Sequence, residues 1–193
     1  ILKIFENTPK ENFLDFSFVK NCYLDNNLDI TDKRGYLKNL HLAQIIKYSK
    51  ILPNDKVLHI GGLTGYFSAL ISSLCQELHV VEENRELFEL LEHNISNTDT
   101  SNISLFNHNL LDGLVDKAPF NLIIIDGPIF KITDNLKKQL VTNGGRLIYI
   151  KKIYDNLGKA YKVIRNEDLY SSEYLFDVMS AYQIQEQQEG FKF

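Results

Sequence analysis

Short apolar runs alternate with amphipathic stretches over most of the chain after residue 55. Five of these runs have the length and composition of β-strands, at 56–60, 78–81, 103–106, 120–125 and 146–150. Between them, apolar residues recur at helical spacing over 66–74, 85–94 and 132–140. The fourth run is apolar throughout, which is typical of a parallel strand buried on both faces. The alternation therefore predicts right-handed βαβ units in an α/β, doubly wound, mostly parallel sheet with the first strand central.

Residues 1–52 follow a different pattern. A short apolar segment ends at Pro9, which favours a short helix before the proline. Residues 16–28 are aromatic and irregular, and 29–35 form a polar loop. Residues 41–51 then place their apolar side chains along roughly one helix face. We predict that this segment is a helical cap that packs on the sheet and covers a site.

A chain of 193 residues is most naturally one domain. We predict three parts within it: the cap at 1–52, a ligand-binding core at 53–152 and C-terminal strands at 153–193. In the last part, residues 161–164 and 174–178 are candidates for a terminal antiparallel pair.

Composition narrows the class of protein. The chain is 44% hydrophobic and 24% charged, ordinary values for a globular protein, and we find neither a membrane-length apolar run nor a signal peptide. The net charge of −4 argues against a nucleic-acid partner. Two cysteines give no disulfide framework, which favours the cytoplasm, and the histidines lack zinc-site spacing. Because the chain begins without methionine, we expect further residues to precede it.

The loop after the first strand and the end of the second strand contain the candidate ligand site. Ligands of open α/β sheets bind beyond the carboxyl ends of the strands, which places the Gly61–Gly65 loop beside Glu82. Glycines allow a tight turn and a close approach of the backbone to a ligand. Glu82 stands about 20 positions after the first glycine, where an acidic residue can accept hydrogen bonds from both ribose hydroxyls.

This loop has three possible interpretations: two nucleotide-binding motifs and a turn that binds no ligand. A dinucleotide G-x-G-x-x-G fails at Leu63 and Tyr66. The looser E-x-G-x-G-x-G loop of S-adenosylmethionine enzymes retains Gly61 and Gly65. The plain alternative is an ordinary strand–helix turn without a ligand.

Several segments together resemble one family. They are Val57–Tyr66, Val81-Glu82, Ala118–Phe120, Leu140 with Gly144–Leu147, Thr8–Phe13 and Tyr23-x-Asp25. In order and spacing they resemble the protein-L-isoaspartate O-methyltransferases, from residue 1 to about 152. The end of the chain, from 175 to 193, looks more like a divergent bacterial branch of that family.

The resemblance implies that S-adenosylmethionine is the cofactor and that isoaspartyl residues of damaged proteins are the substrate. A carboxylate is already ionised at neutral pH, so positioning and desolvation would carry the methyl transfer without a strong general base. The ester would then close spontaneously to a succinimide. The cofactor-binding residues implied by the resemblance are His59, Gly61, Gly62, Leu63, Gly65, Tyr66, Glu82, Asn109, Leu110 and Asp126.

Some of these positions depart from the family pattern. His59 replaces an acidic residue that, in the family, interacts with the ammonium group of the cofactor. The alternative to a role in cofactor binding is a hydrogen-bonded histidine at a strand end. Leu63 replaces the middle glycine, with Gly62 as an alternative place for the turn. Asn109 replaces an aspartate that faces the adenine amino group, and an amide oxygen can accept the same bond. For Asp126, a cap of the following segment is an equal alternative.

The substrate stretch of the family, T-I-S-x-P, is absent, and residues 34–40 stand in its place. We predict that Arg34 and Lys38, with Asn39, bind the substrate carboxylate, because cations bind carboxylates well. The alternative is that both cations are solvated loop charges. Two rival functions also remain: a non-catalytic binding module on the same fold, and a methyltransferase with another acceptor.

Overall fold

The computed structural model describes residues 1–184. Two short strands, β1 (Leu28–Asp29) and β2 (Gly35–Tyr36), pair antiparallel within the N-terminal segment. The main sheet has the order β5-β4-β3-β6-β7-β8-β9. Its strands are β3 (Lys56–Ile60), β4 (Glu77–Glu82), β5 (Ile103–Asn107), β6 (Leu122–Ile129), β7 (Asn143–Tyr154), β8 (Leu157–Asn166) and β9 (Leu169–Met179). The first five are mutually parallel, which confirms the predicted fold class.

Six α-helices accompany these strands in the described chain. They are α1 (Leu2–Asn7), α2 (Phe16–Val19), α3 (Asn39–Ser49), α4 (Tyr66–Ser72), α5 (Arg85–Ser96) and α6 (Asp134–Lys138). Short 3-10 helices lie at Lys10–Phe13, Leu110–Asp112 and Val115–Lys117. Across residues 1–184, each helix is too short or too polar to cross a membrane.

The five predicted strands are present, with corrected bounds for some of them. The first strand lies inside the sheet between β4 and β6, although β6 holds the middle of the seven positions. The fourth strand was predicted at 120–125 but runs over 122–129, with a register shift between Ile125 and Pro128. Asp126 is therefore inside β6 rather than a cap of the next segment, and Thr133 caps α6 instead.

The predicted terminal pair is also present and is longer than expected. β7, β8 and β9 form an antiparallel meander, because β8 pairs antiparallel with both of its neighbours. β8 and β9 include the predicted stretches 161–164 and 174–178. Residues 185–193, including the family-like ending at 191–193, lie outside the described residues, and the division into three parts remains a prediction.

Alternate strand residues face two hydrophobic clusters on the two sides of the sheet. Val57 and Ile124 belong to a cluster that also contains the buried faces of α3, α4 and α5. Leu58 and Ile123 belong to the other, which includes Leu136 of α6. Because β6 buries apolar side chains on both faces, it reads as one continuous apolar run in the sequence. Helices on both faces leave the strand ends as the open edge for a ligand.

Candidate functional site

The loop between β3 and α4 is bound to the end of the neighbouring strand. The amides of Gly61 and Gly62 donate to the Val81 carbonyl, at 2.9 and 3.2 Å. Gly61 has φ +96°, a conformation that suits glycine. Gly65 is the last residue before α4, and Tyr66 begins that helix with its side chain buried. The loop thus lies at the carboxyl end of β3, directly beside β4.

Leu63, and not Gly62, takes the left-handed turn within this loop. Leu63 has φ +50° and is 3% exposed. Gly62 serves close packing instead, because a Cβ there would lie 2.7 Å from Val80 Cγ1 and 2.9 Å from a methyl group of Leu91. The alternative in which Gly62 supplies the turn is therefore wrong. A left-handed leucine costs about 1–2 kcal/mol, which the buried Leu63 side chain offsets.

This conformation predicts an unusual order of stability for the glycine and alanine variants of Leu63. In the middle of a helix or strand, a protein with glycine is less stable than one with alanine by roughly 0.5–1 kcal/mol. At position 63 we expect Leu63→Ala to be less stable than Leu63→Gly by about 1 kcal/mol, because both remove the side chain but only alanine keeps the strain. Urea unfolding of the two variants measures the difference. The ordinary ranking would show that the backbone relaxes out of the left-handed region.

The phenol of Tyr36 is inserted beneath the same loop. Its oxygen accepts from the amides of Thr64 and Tyr66, at 3.2 and 3.1 Å, and lies 2.9 Å from Thr64 Oγ1. Burial raises the pKa of Tyr36. Asn94 of α5 donates to the Thr64 carbonyl at 2.8 Å. The start of α4 is thus held by side chains of the N-terminal segment and of α5.

Glu82 ends β4 with a fully buried side chain. Arg34 forms a bidentate ion pair with this carboxylate, in which Nη1 donates to Oε1 at 2.6 Å and Nη2 donates to Oε2 at 2.8 Å. The Leu63 amide donates to Oε2 and the Asn84 amide to Oε1, each at 3.0 Å. A carboxylate offers about four acceptor positions, so these four donors fill all the acceptor positions of Glu82.

His59 is fully buried between α4 and β6. Its Nδ1 lies 2.8 Å from Ser68 Oγ, and its Nε2 lies 3.3 Å from Asp126 Oδ1, outside hydrogen-bond geometry. Ser68 is thus the hydrogen-bond partner of the ring, and within residues 1–184 the buried Nε2 has none. The ring also meets Phe67 edge-on, with centroids 5.3 Å apart. Strand ends thus bring together His59, Asp126, Glu82 and the glycine loop.

The other predicted site residues lie around this group. Asn109 is exposed, and its side chain accepts from the Leu111 amide at the start of a 3-10 helix. Leu110 is buried, and its amide donates to Glu83 Oε2 at 3.2 Å. Their contribution to a cofactor site stays a prediction.

The residues predicted to bind the substrate divide between two environments. Arg34 points into the strand-end site, against Glu82. Lys38 lies nearer the surface, with Nζ 3.6 Å from a carboxylate oxygen of the exposed Asp25. Asn39 Oδ1 is 3.5 Å from the Nζ of Lys10. The three do not converge on one point, and their roles toward a substrate stay predictions.

Comparisons with known proteins identify the family. A sequence model of the protein-L-isoaspartate(D-aspartate) O-methyltransferase family matches residues 1–179. The chain belongs to this family.

Two members of the family illustrate the similarity, and both are distant from this chain in sequence. The protein-L-isoaspartate O-methyltransferase of Koribacter versatilis is 28% identical over 148 residues, which span 77% of this chain and 66% of that protein. A solved protein-L-isoaspartate O-methyltransferase superposes with a TM-score of 0.80 at 21% identity, covering 93% of this chain and 59% of the other. The chain thus spans less than two thirds of both proteins.

One solved relative shows a bound cofactor product. A Plasmodium falciparum protein, assigned as a protein-L-isoaspartate O-methyltransferase, was determined in complex with S-adenosyl-L-homocysteine. It superposes with a TM-score of 0.68 at 16% identity, over 93% of this chain and 96% of its own. The family uses S-adenosylmethionine.

In the present conformation, the residues of this family member do not fit that cofactor. The acceptor positions of Glu82 are occupied by Arg34 and two amides. The Ile184 side chain lies against Gly61 and Gly127, and its Cδ1 would be 3.1 Å from a Cβ on Gly61. About 10 Å³ of free space remains, no more than one water molecule needs.

Sequence reasoning missed Tyr36, Tyr182 and Ile184 at this site. Tyr182 and Ile184 are apolar residues two positions apart in a largely polar stretch, and this alternation was their only signal. Tyr36 lay within the stretch that was assigned to the substrate, with nothing local to mark its hydroxyl as a partner of the loop.

Proposed function

We propose that this chain is an S-adenosylmethionine-dependent methyltransferase that esterifies the free carboxylate of isoaspartyl residues in proteins. The observation that carries the proposal is the position of Glu82. Its carboxylate ends β4 and accepts from the Leu63 amide of the glycine loop at 3.0 Å. This is the place where a nucleoside-binding α/β sheet needs an acceptor for ribose hydroxyls. The match of residues 1–179 to the family supports the assignment.

Methyl transfer to a carboxylate requires little from the protein beyond positioning of the two reacting groups. The acceptor carboxylate is ionised at neutral pH, and S-adenosylmethionine, when bound, supplies an activated methyl group. The chain has to hold the carboxylate in line and exclude water. We assign the first task to Lys38, whose ammonium is partly exposed beside Asp25. The buried cysteines Cys22 and Cys75 are both free, which supports a cytoplasmic location.

Methylation of a defined peptide tests the proposal. With labelled S-adenosylmethionine, we expect methyl transfer to a peptide that contains one isoaspartyl residue. The matched peptide with a normal aspartyl residue at the same position should remain unlabelled. Transfer to neither peptide, combined with a lack of S-adenosylhomocysteine binding by calorimetry, would refute the proposed function.

Lys38 has a separate test. We expect Lys38→Ala to raise the KM for the isoaspartyl peptide about tenfold, since loss of one charge-assisted contact costs about 1.4 kcal/mol. The matched control is Lys20→Ala, which removes an exposed lysine of the same N-terminal segment. An unchanged KM, or an equal rise in the control, removes Lys38 from the substrate site.

A non-catalytic binding module is the second candidate, and one observation favours it. The Arg34–Glu82 pair satisfies Glu82 from within the chain, as expected of a site that no longer receives a ligand. Calorimetry with S-adenosylhomocysteine separates the two candidates, because only the enzyme requires binding. The peptide assay distinguishes a methyltransferase with another acceptor, which would leave the isoaspartyl peptide unlabelled.

A further inference from the structure

We propose that Arg34 and the segment 181–184 form an internal latch that occupies the nucleoside position and must open before a ligand can bind. This inference rests on the proposed function, since it concerns the same site. The latch has two parts, a guanidinium that replaces the ligand's donors and an apolar side chain that covers the loop.

Arg34 reproduces the hydrogen-bonding pattern of a ribose. Two vicinal hydroxyl groups present two donors to a carboxylate, and a guanidinium presents two parallel N–H groups in a similar fork. Its two nitrogens contact the two oxygens of Glu82 at 2.6 and 2.8 Å. Without Arg34, the amides of Leu63 and Asn84 would leave one acceptor position free on each oxygen. A nucleoside and Arg34 therefore compete for the same atoms.

Ile184 covers the neighbouring part of the site. Its side chain lies 2.5 Å from the position of a Cβ on Gly127 and 3.1 Å from that on Gly61. Both glycines line the remaining 10 Å³ of space, together with Arg34, Asp126 and Tyr182. A ligand that approaches the backbone of Gly61 must displace this side chain.

The segment that carries Ile184 is anchored by specific polar contacts. The buried Lys152 donates through Nζ to the carbonyls of Ala181 and Tyr182, at 2.7 and 3.0 Å, as well as to that of Asp155 at 2.9 Å. The Ile184 amide donates to the Pro128 carbonyl at 2.9 Å. One ammonium thus joins two carbonyls of the segment 181–184 to the turn between β7 and β8.

The two parts of the latch are also joined to each other. The Gln183 amide donates to the Lys33 carbonyl at 2.9 Å, directly before Arg34 in the chain. The Tyr182 hydroxyl donates to Asp29 Oδ1 at 2.5 Å, on the strand that pairs with Gly35. Because the loop with Arg34 and the segment 181–184 share these bonds, we infer that they open together. The observed ligand affinity is then the intrinsic affinity multiplied by the fraction of open molecules.

Calorimetry with S-adenosylhomocysteine tests the latch in the full chain. Lys152→Met removes an anchor of the segment and Ile184→Ala removes the covering side chain. Both keep the Arg34–Glu82 pair, so they do not depend on the folding of an Arg34 variant. We expect each to bind the probe about tenfold more tightly than the unmodified protein, because a larger fraction is open. The matched controls are Lys162→Met, which removes the lysine paired with Glu173, and Leu169→Ala, which removes an exposed apolar side chain.

Hydrogen exchange of the Gln183 and Ile184 amides provides the second readout. We expect both amides to be protected in the free protein and to exchange at least about tenfold faster once the probe binds, since binding opens the latch. Equal affinity in all variants, or binding while both amides stay protected, refutes the latch alone. Absence of binding by every folded variant refutes the proposed function, and the latch with it.

Discussion

Replacement of Glu82 by leucine is expected to lower the free energy of unfolding by about 3–5 kcal/mol, because it leaves a buried guanidinium without its partner. The Arg34 side chain is 13% exposed and that of Glu82 is fully buried. The substitution also leaves the amides of Leu63 and Asn84 without their acceptor, which adds to the cost. Urea unfolding measures the loss.

Arg34→Met should cost less than Glu82→Leu, since Glu82 keeps its two amide donors. The double variant should be more stable than the sum of the two losses predicts, because it contains no unpaired guanidinium. The exposed pair Arg85–Glu89 provides the control, and its cycle should give at most about 1 kcal/mol. Simple additivity of Arg34→Met and Glu82→Leu would show that the pair is not coupled in solution.

Stability should also depend on the protonation of Lys10. Lys10 is 1% exposed, and its Nζ lies 5.3 and 5.2 Å from the ring centroids of Tyr36 and Tyr66. Burial lowers the pKa of Lys10 from 10.5 to about 8. This difference corresponds to a penalty of about 3 kcal/mol at neutral pH, which the contacts with the two rings partly offset.

The sign follows from proton binding. Between about pH 8 and 10.5 the unfolded chain binds more protons at Lys10 than the folded one, so stability gains from this group as the pH rises. We expect wild-type stability to rise relative to that of Lys10→Met by about 2 kcal/mol between pH 7 and 9.5. Burial raises the pKa of Tyr36 and Tyr66, which removes stability mainly above about pH 10 and in both proteins.

Urea unfolding of both proteins at several pH values measures this difference. A difference that stays constant with pH would show that the folded protein keeps Lys10 at its ordinary pKa. That result would favour access of water to the ammonium between the two tyrosine rings.

The sequence by itself determined the sheet and the place of its candidate site. Strands such as β3 and β6 are buried on both faces, so their apolar runs are visible without any partner. The position of Glu82 beside the Gly61–Gly65 loop follows as well, because the carboxyl ends of neighbouring parallel strands meet at one edge. These features arise from local periodicity and from general rules of chain connection.

Only the tertiary structure decided what surrounds Glu82. Arg34 lies 48 residues before it, and Ile184 packs on Gly61 from the far end of the described chain. The choice of Leu63 for the left-handed turn depends on the lack of space for a side chain at Gly62, between Val80 and Leu91. Single contacts between distant residues produce no periodic pattern, so the physical state of the site became visible only when the chain was folded.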